Sequence, residues 1–143
     1  MSIRQLSIFI ENKPGRVAQV TEVIAKAKVD IRALSIADTS NFGILRLIVN
    51  KPDEAVDALK KANITVSITS VIAIGIDDSP GEFSNVARIL ADKGIEIEYM
   101  YAFIGRDKNR AFVILKVEEE DKASEVLKRN NVSILTTEQI QGM

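Results

Sequence analysis

Ile8-Phe9-Ile10-Glu11-Asn12-Lys13-Pro14-Gly15 and Ile74-Gly75-Ile76-Asp77-Asp78-Ser79-Pro80-Gly81 decide the fold. They stand 66 positions apart and match as apolar run, polar turn, Pro-Gly. The match continues outward: Val20 meets Val86, Ile24 meets Leu90, Ala25 meets Ala91 and Ile31 meets Ile97. Farther on the offset becomes 68, so Ala55 meets Ala123 and Leu59 meets Leu127. The second copy thus carries two extra residues, around Gly105-Arg106-Asp107-Lys108-Asn109. Over positions 8–37 and 74–103, seven of thirty pairs are identical. Identity that low proves little alone, but with the shared apolar pattern and Pro-Gly it points to duplication.

Each copy reads β-α-β-β-α-β. Ile3 to Ile10 is a strand by its Ile, Phe and Leu content, and Pro14-Gly15 breaks it. Val17, Val20, Ile24 and Ala27 then recur at helical spacing. Val29 to Ala37 and Gly43 to Val49 are strands. Pro52-Asp53-Glu54 opens a second helix, since Pro fits a first turn and acids favour its positive end. Ile64 to Thr69 closes the copy as a strand.

The second copy has a strand over Val71 to Ile76 and a helix from Phe83 to Lys93. Ile95, Ile97, Tyr99, Tyr101 and Phe103 alternate on one strand face, with Glu96, Glu98, Met100 and Ala102 on the other. Arg110 to Val117, Lys122 to Asn130 and Val132 to Thr137 supply the rest. Residues 1–69 and 70–143 are therefore expected to be two domains with almost no linker. The expected class is α+β: two ferredoxin-like βαββαβ sandwiches, antiparallel sheets with helices on one face. The bare face of each sheet needs a partner, and pairing solves the small-core problem of one copy.

Composition limits the chemistry. The 143 residues are 46% apolar and 27% charged, enough for a globular core. There is no Cys, His or Trp. That removes disulfides, thiolate nucleophiles, His-based triads and the usual zinc or iron–sulfur ligands. Only hard, oxygen-ligated ions remain conceivable, and neither a metal nor a cofactor is expected. Net charge is −1, so no global field draws nucleic acid or an anionic membrane. No apolar run reaches the roughly 18 residues of a membrane span, and Met1 to Leu6 lacks a signal-peptide pattern. A cytoplasmic protein is expected.

The informative segment is the turn between first strand and first helix. Gly lets the backbone approach a ligand closely. The N–H groups that follow open a helix, are unpaired, and sit at its positive end, where carboxylate or phosphate binds. A plain capped turn accounts for the same spacing.

This Asn-Lys-Pro-Gly turn, in a duplicated βαββαβ chain, resembles the ACT domain family, small regulatory modules that bind amino acids. The resemblance covers the chain as two ACT units. It implies a ligand site of two parts. The loop part carries over to Asn12, Gly15, Arg16 and Val17, and in the second copy to Asp78, Gly81, Glu82 and Phe83. The second-strand part carries over to Asp30 and Ile31, and to Glu96 and Ile97. In the family a ligand typically lies between two units, held by the loop of one and the second strand of another. Asp30 and Glu96 depart from the family, which often has Asn there.

A free amino acid suits these residues. Its carboxylate can accept N–H bonds after Gly15, and its ammonium can donate to the Asn12 carboxamide or the Asp30 carboxylate. Asp78 and Glu82 surround the second loop with negative charge, so the first loop is expected to bind better. The implied role is an allosteric amino-acid sensor, favoured as a homodimer. The alternatives are a regulatory subunit docked on an enzyme of amino-acid metabolism, and an acyl-phosphate hydrolase of the same architecture using Arg16. No catalytic residue is assigned, and neither a nucleic acid nor a membrane is expected as partner. Tyr99, Tyr101 and Phe103 lie too close to Glu96 and Glu98 for a nucleic-acid face, and that stripe is expected in a core or an interface. Tyr99, Tyr101 and Phe42 are candidates for a sticky outer face, with core packing the expectation.

Four aligned pairs invert charge: Arg16 with Glu82, Glu22 with Arg88, Lys26 with Asp92, and Arg32 with Glu98. Either the copies attract one another there, or each charge pairs locally along its own helix.

Overall fold

The computed structural model describes residues 2–38, 41–104 and 109–143. The chain forms two compact units, one built from residues 4–69 and one from residues 70–141 together with residues 2–3. The extra residues expected around 105–109 lie, apart from Asn109, outside the described residues.

The N-terminal unit runs β1 (Ile3–Glu11), α1 (Arg16–Lys26), β2 (Ile31–Asp38), β3 (Phe42–Val49), α2 (Pro52–Lys61) and the first residues of β4 (Ser67–Asp77). β3 lies between β2 and β1, antiparallel to both. Leu6, Ile8 and Ile10 of β1 and Leu45, Leu47 and Val49 of β3 face the helices. There they pack with Val20 and Ile24 of α1 and Ala55 and Leu59 of α2. The period of 2 along the strands and of 3 to 4 along the helices thus meet in one buried layer. The Ser7 and Thr69 hydroxyls, 2.9 Å apart, tie the start of β4 to this unit.

The C-terminal unit repeats the plan with the rest of β4, α3 (Glu82–Asp92), β5 (Ile97–Ala102), β6 (Arg110–Val117), α4 (Glu120–Arg129), β7 (Ser133–Ile134) and α5 (Thr137–Gln141). β6 lies between β5 and β4, and β7 pairs with β4. Ile72, Ile74, Val86, Leu90, Val113, Leu115, Ala123 and Leu127 form its core.

Every main helix ends the same way. A residue with φ near +60° follows α1 (Lys28), α2 (Asn63), α3 (Gly94) and α4 (Asn131). The next N–H reaches back to the last turn: Val29 to Ile24 (3.2 Å), Ile64 to Leu59 (2.9 Å), Ile95 to Leu90 (3.0 Å) and Val132 to Leu127 (2.9 Å). These are Schellman closures, which satisfy orphan carbonyls.

Three local expectations need correction. Ile64 to Thr69 and Val71 to Ile76 are not separate strands, because β4 is continuous from Ser67 to Asp77. The last strand shrinks to Ser133–Ile134 and is followed by the short α5, whose Ile140 is buried. The alternation along β5 also breaks. Ile97 pairs with Val117, but Tyr99 pairs with Lys116, a register shift that counts two β5 steps against one on β6. The bulge leaves Ile97 against the helix-covered core, while Tyr99 and Tyr101 turn to the opposite face. β2 carries the same shift between Ile31 and Ala33.

Candidate functional site

The two Pro-Gly turns share one backbone conformation and one backbone hydrogen-bond pattern. Gly15 has φ 88° and ψ −10°, and Gly81 has φ 89° and ψ −10°. The left-handed conformation is what selects Gly at both positions. Lys13 N–H donates to the Glu11 carbonyl (2.8 Å), and Ser79 N–H to Asp77 (3.0 Å). Arg16 N–H donates to Lys13 and Glu82 N–H to Ser79, both at 3.3 Å. Gln19 closes on Gly15 (2.9 Å) as Asn85 does on Gly81 (3.0 Å). The turns are anchored to the neighbouring hairpin by Asn12 N–H on the Asn41 carbonyl (3.1 Å) and Asp78 N–H on Asn109 (3.0 Å). The N-cap residues of α1 and α3, Gly15 and Gly81, have no side chain to cap with. Among the described residues, no backbone acceptor meets the N–H of Val17 or Phe83. Each turn therefore offers N–H donors at a positive helix end.

The side chains around the turns differ. In the first, Glu11 pairs with Lys13 Nζ (3.0 Å) and Arg16 (3.7 Å), and Arg16 also donates to Gln19 Oε1 (3.3 Å). The Lys13 hydrogen bond, aided by the charges of Lys13 and Arg16, holds the Glu11 carboxyl below the usual glutamate range. In the second turn Ser79 donates to Glu82 Oε1 (3.4 Å). Arg16, which a hydrolase would aim at substrate, is thus bonded within its own turn.

Asp30 and Glu96 stand elsewhere. Glu11 pairs with Phe42 at one end of β3, and Ile31 pairs with Val49 at the other. Seven strand steps separate those ends, about 23 Å at ~3.3 Å per residue. Asn12 and Asp30 of one unit therefore cannot hold one small ligand together. Asp30 bonds Arg32, whose side chain is buried, and its N–H donates to Asn50 Oδ1 (2.8 Å). Glu96 lines a groove of about 410 Å³ with Glu98, Glu118 and Glu119, and Lys116 Nζ lies 3.4 Å from Glu98. Ile31 and Ile97 pack against the cores of their units. Val17 is 39% exposed, whereas Phe83 is partly buried against its core.

Of the charge-inverted residues, Arg88 pairs with Asp92 in its own helix (3.6 Å), and Arg16, Arg32 and Glu98 have the partners just described. Phe42 is 51% exposed and lies outside the helix-covered cores, as do Tyr99 and Tyr101, which stack with centroids 6.5 Å apart. None of these rings joins a helix-covered core, because their register places them on the face away from the helices, where Phe42 is exposed and Tyr99 and Tyr101 are half-buried. No group of three or more acidic residues able to hold a metal occurs among the described residues.

Beside each turn lies a groove. Phe9, Ile10, Glu11, Arg16, Gln19, Val20, Phe42, Asn63, Ile64 and Thr65 line the first, of about 370 Å³. The second, of about 210 Å³, is lined mainly by the same positions of the other copy. Sequence reasoning missed the α2–β4 and α4–β7 connections that wall these grooves. Asn63 and Asn131, identical at the offset of 68, are the signal that could have found them.

Duplicated βαββαβ units with paired Pro-Gly turns define the class as a tandem of small α+β modules. A family profile described as an ACT domain pair matches residues 1–143, and the chain belongs to that family. A crystal structure of a protein from Bacteroides thetaiotaomicron is 42% identical, covers 100% of this chain and 98% of its own, and superposes with a TM-score of 0.93. The regulatory subunit of aspartate kinase from Thermus thermophilus, in a ligand-free form, has the same fold at 18% identity and TM-score 0.63, covering 88% of this chain and 90% of its own. The corresponding subunit from Thermus flavus gives 18% and 0.61, covering 87% and 88%. No curated protein matches the sequence. Among the described residues, no helix is long and apolar enough to cross a membrane.

Proposed function

We propose that this ACT domain pair is a cytoplasmic regulatory protein that senses a free amino acid. The observation that carries the reading is the matched pair of Pro-Gly turns, each presenting unspent N–H groups at a helix start beside a groove. The ligand carboxylate binds the N–H groups after Gly15, with Arg16 and Asn12 at its sides. Glu82 and Asp78 make the second turn the weaker site for a bare carboxylate. Because Asp30 stands at the far end of its own sheet, it contributes only to a ligand held by the turn of another unit. That geometry supports a homodimer in which Asp30, Ile31, Glu96 and Ile97 of one unit complete the site of a neighbour.

A thermal-shift screen of the common amino acids tests the reading. A ligand at 100 times its dissociation constant should add about 2.7 kcal/mol. Asn12→Ala should weaken binding more than Asp78→Ala, and equal losses would sink the asymmetry. A second role, docking on an enzyme of amino-acid metabolism, is supported by the fold shared with aspartate kinase regulatory subunits. Affinity capture of a biosynthetic enzyme by the intact protein tests that role.

A further inference from the structure

The two grooves occupy the same place in their units but not the same chemistry. Position by position, the second is built from shorter side chains: Glu11 becomes Asp77, Gln19 becomes Asn85, Ile64 becomes Val132 and Thr65 becomes Ser133. Phe9 becomes Gly75, and Phe42 becomes Arg110. Shorter walls ought to leave more room, yet the second groove is the smaller, about 210 against about 370 Å³. Arg110 accounts for this. Its guanidinium Nη2 lies 2.8 Å from where a Cβ on Gly75 would stand, beside the Phe112 ring. Gly75 is the residue that gives the arginine its berth.

Arg110 Nε is buried and, among the described residues, has no hydrogen-bond partner. Among the described residues, no carboxylate forms an ion pair with the guanidinium, although Asp77 is its cross-strand neighbour. A buried donor left unpaired is costly, and a planar fork of N–H donors matches a carboxylate in two parallel bonds. Asp77 and Glu82 share the groove and would repel a simple anion such as phosphate, while Arg110 would repel a simple amine. Only a ligand carrying both charges satisfies all three.

We infer that the C-terminal groove binds a free amino acid with a short polar side chain. Its carboxylate lies on Arg110, its ammonium faces Asp77 and Glu82, and its side chain meets Asn85, Asn131 and Ser133. The aromatic N-terminal groove, with Phe9, Phe42 and Ile64, suits a larger apolar side chain. This rests on the amino-acid-binding reading and narrows it for one groove.

Amide NMR of the full chain tests the assignment, with L-serine, L-asparagine, L-phenylalanine and acetate as probes. Serine or asparagine should shift Asn85, Asn131 and Ser133 saturably, and acetate should bind at least about tenfold more weakly. Arg110→Phe copies the residue at position 42, so the strand register accepts it, and should cost at least about tenfold in affinity. Arg110→Lys keeps the charge without the fork and should lie between. Equal affinity in Arg110→Phe, or acetate binding as well as serine, overturns the inference. Shifts confined to Val17, Gln19 and Thr65 also overturn it while leaving the amino-acid-binding reading intact. No shift from any amino acid overturns both.

Discussion

The Asn12 side-chain oxygen stands 3.2 Å from the point where a Cβ on Gly43 would lie. Ile36 crowds the same point at 3.3 Å. Gly43 is therefore the floor on which the Asn12 carboxamide rests. Gly43→Ala needs no unusual backbone, so its effect is steric: about 1 kcal/mol of destabilisation, the low end of overpacking. The second copy carries Ala111 at this position and Ala102 at the position of Ile36. Gly43→Ala with Ile36→Ala should recover much of the loss in urea denaturation, because Ile36 is 52% exposed and contributes little burial itself. Amino-acid affinity at the first turn should fall in Gly43→Ala through the displaced Asn12. Unchanged affinity would mean that the Asn12 carboxamide does not meet the ligand.

Gly15 and Gly81 separate backbone from sterics. No atom lies within 4 Å of a Cβ built on either. Alanine at either position pays only for the left-handed conformation, about 1–2 kcal/mol. Denaturation of Gly15→Ala and Gly81→Ala should show that loss in both, within about 0.5 kcal/mol of one another. A much larger loss at one turn would show that its N–H groups carry structural bonds as well.

Lys28 and Gly94 fill equivalent helix ends with φ of 58° and 68°. A lysine there bears a penalty that glycine does not, partly offset by the greater freedom of glycine in the unfolded chain. Lys28→Gly should stabilise the protein by about 0.5–1 kcal/mol, and Gly94→Lys should lose a similar amount. Denaturant midpoints measured at unchanged m-value decide both signs.

How much of this was legible in the sequence varies by residue. The Pro-Gly turns and helix-facing positions such as Ile8, Val20 and Leu59 are fixed by local periodicity, which a linear reading captures. The bulges at Ile31 and Ile97 are not, because two residues on one strand oppose one on its neighbour, and only pairing with Val49 and Val117 reveals that. The bulge is what put Tyr99 on the wrong face. Arg110 was invisible for a different reason. Its importance comes from Gly75, 35 positions earlier, leaving space over a strand. The separation of Asn12 from Asp30 follows from strand direction, since β1 and β2 both run antiparallel to β3, so that β1 finishes and β2 starts at opposite ends of the sheet.

Glu11 holds Arg16 at 3.7 Å and would compete with a ligand carboxylate for it. Its carboxyl titrates below the ordinary glutamate value of about 4.3, chiefly through Lys13, so Lys13→Ala should raise it more than Arg16→Ala does, as read by carbon NMR. A lowered folded-state value means that the contribution to stability is present above the unfolded value. It is lost as pH falls through the folded one, so Glu11→Gln should flatten the acid side of the stability profile. The same substitution releases Arg16 at neutral pH. Amino-acid affinity at the first turn should then rise by up to about fivefold, the scale of one exposed ion pair. In the wild type the same gain should develop as pH falls through the Glu11 titration, since the ligand carboxylate stays ionised at that pH. Affinity that is equal in Glu11→Gln and wild type would place the ligand beyond the reach of Arg16, on the backbone N–H groups alone.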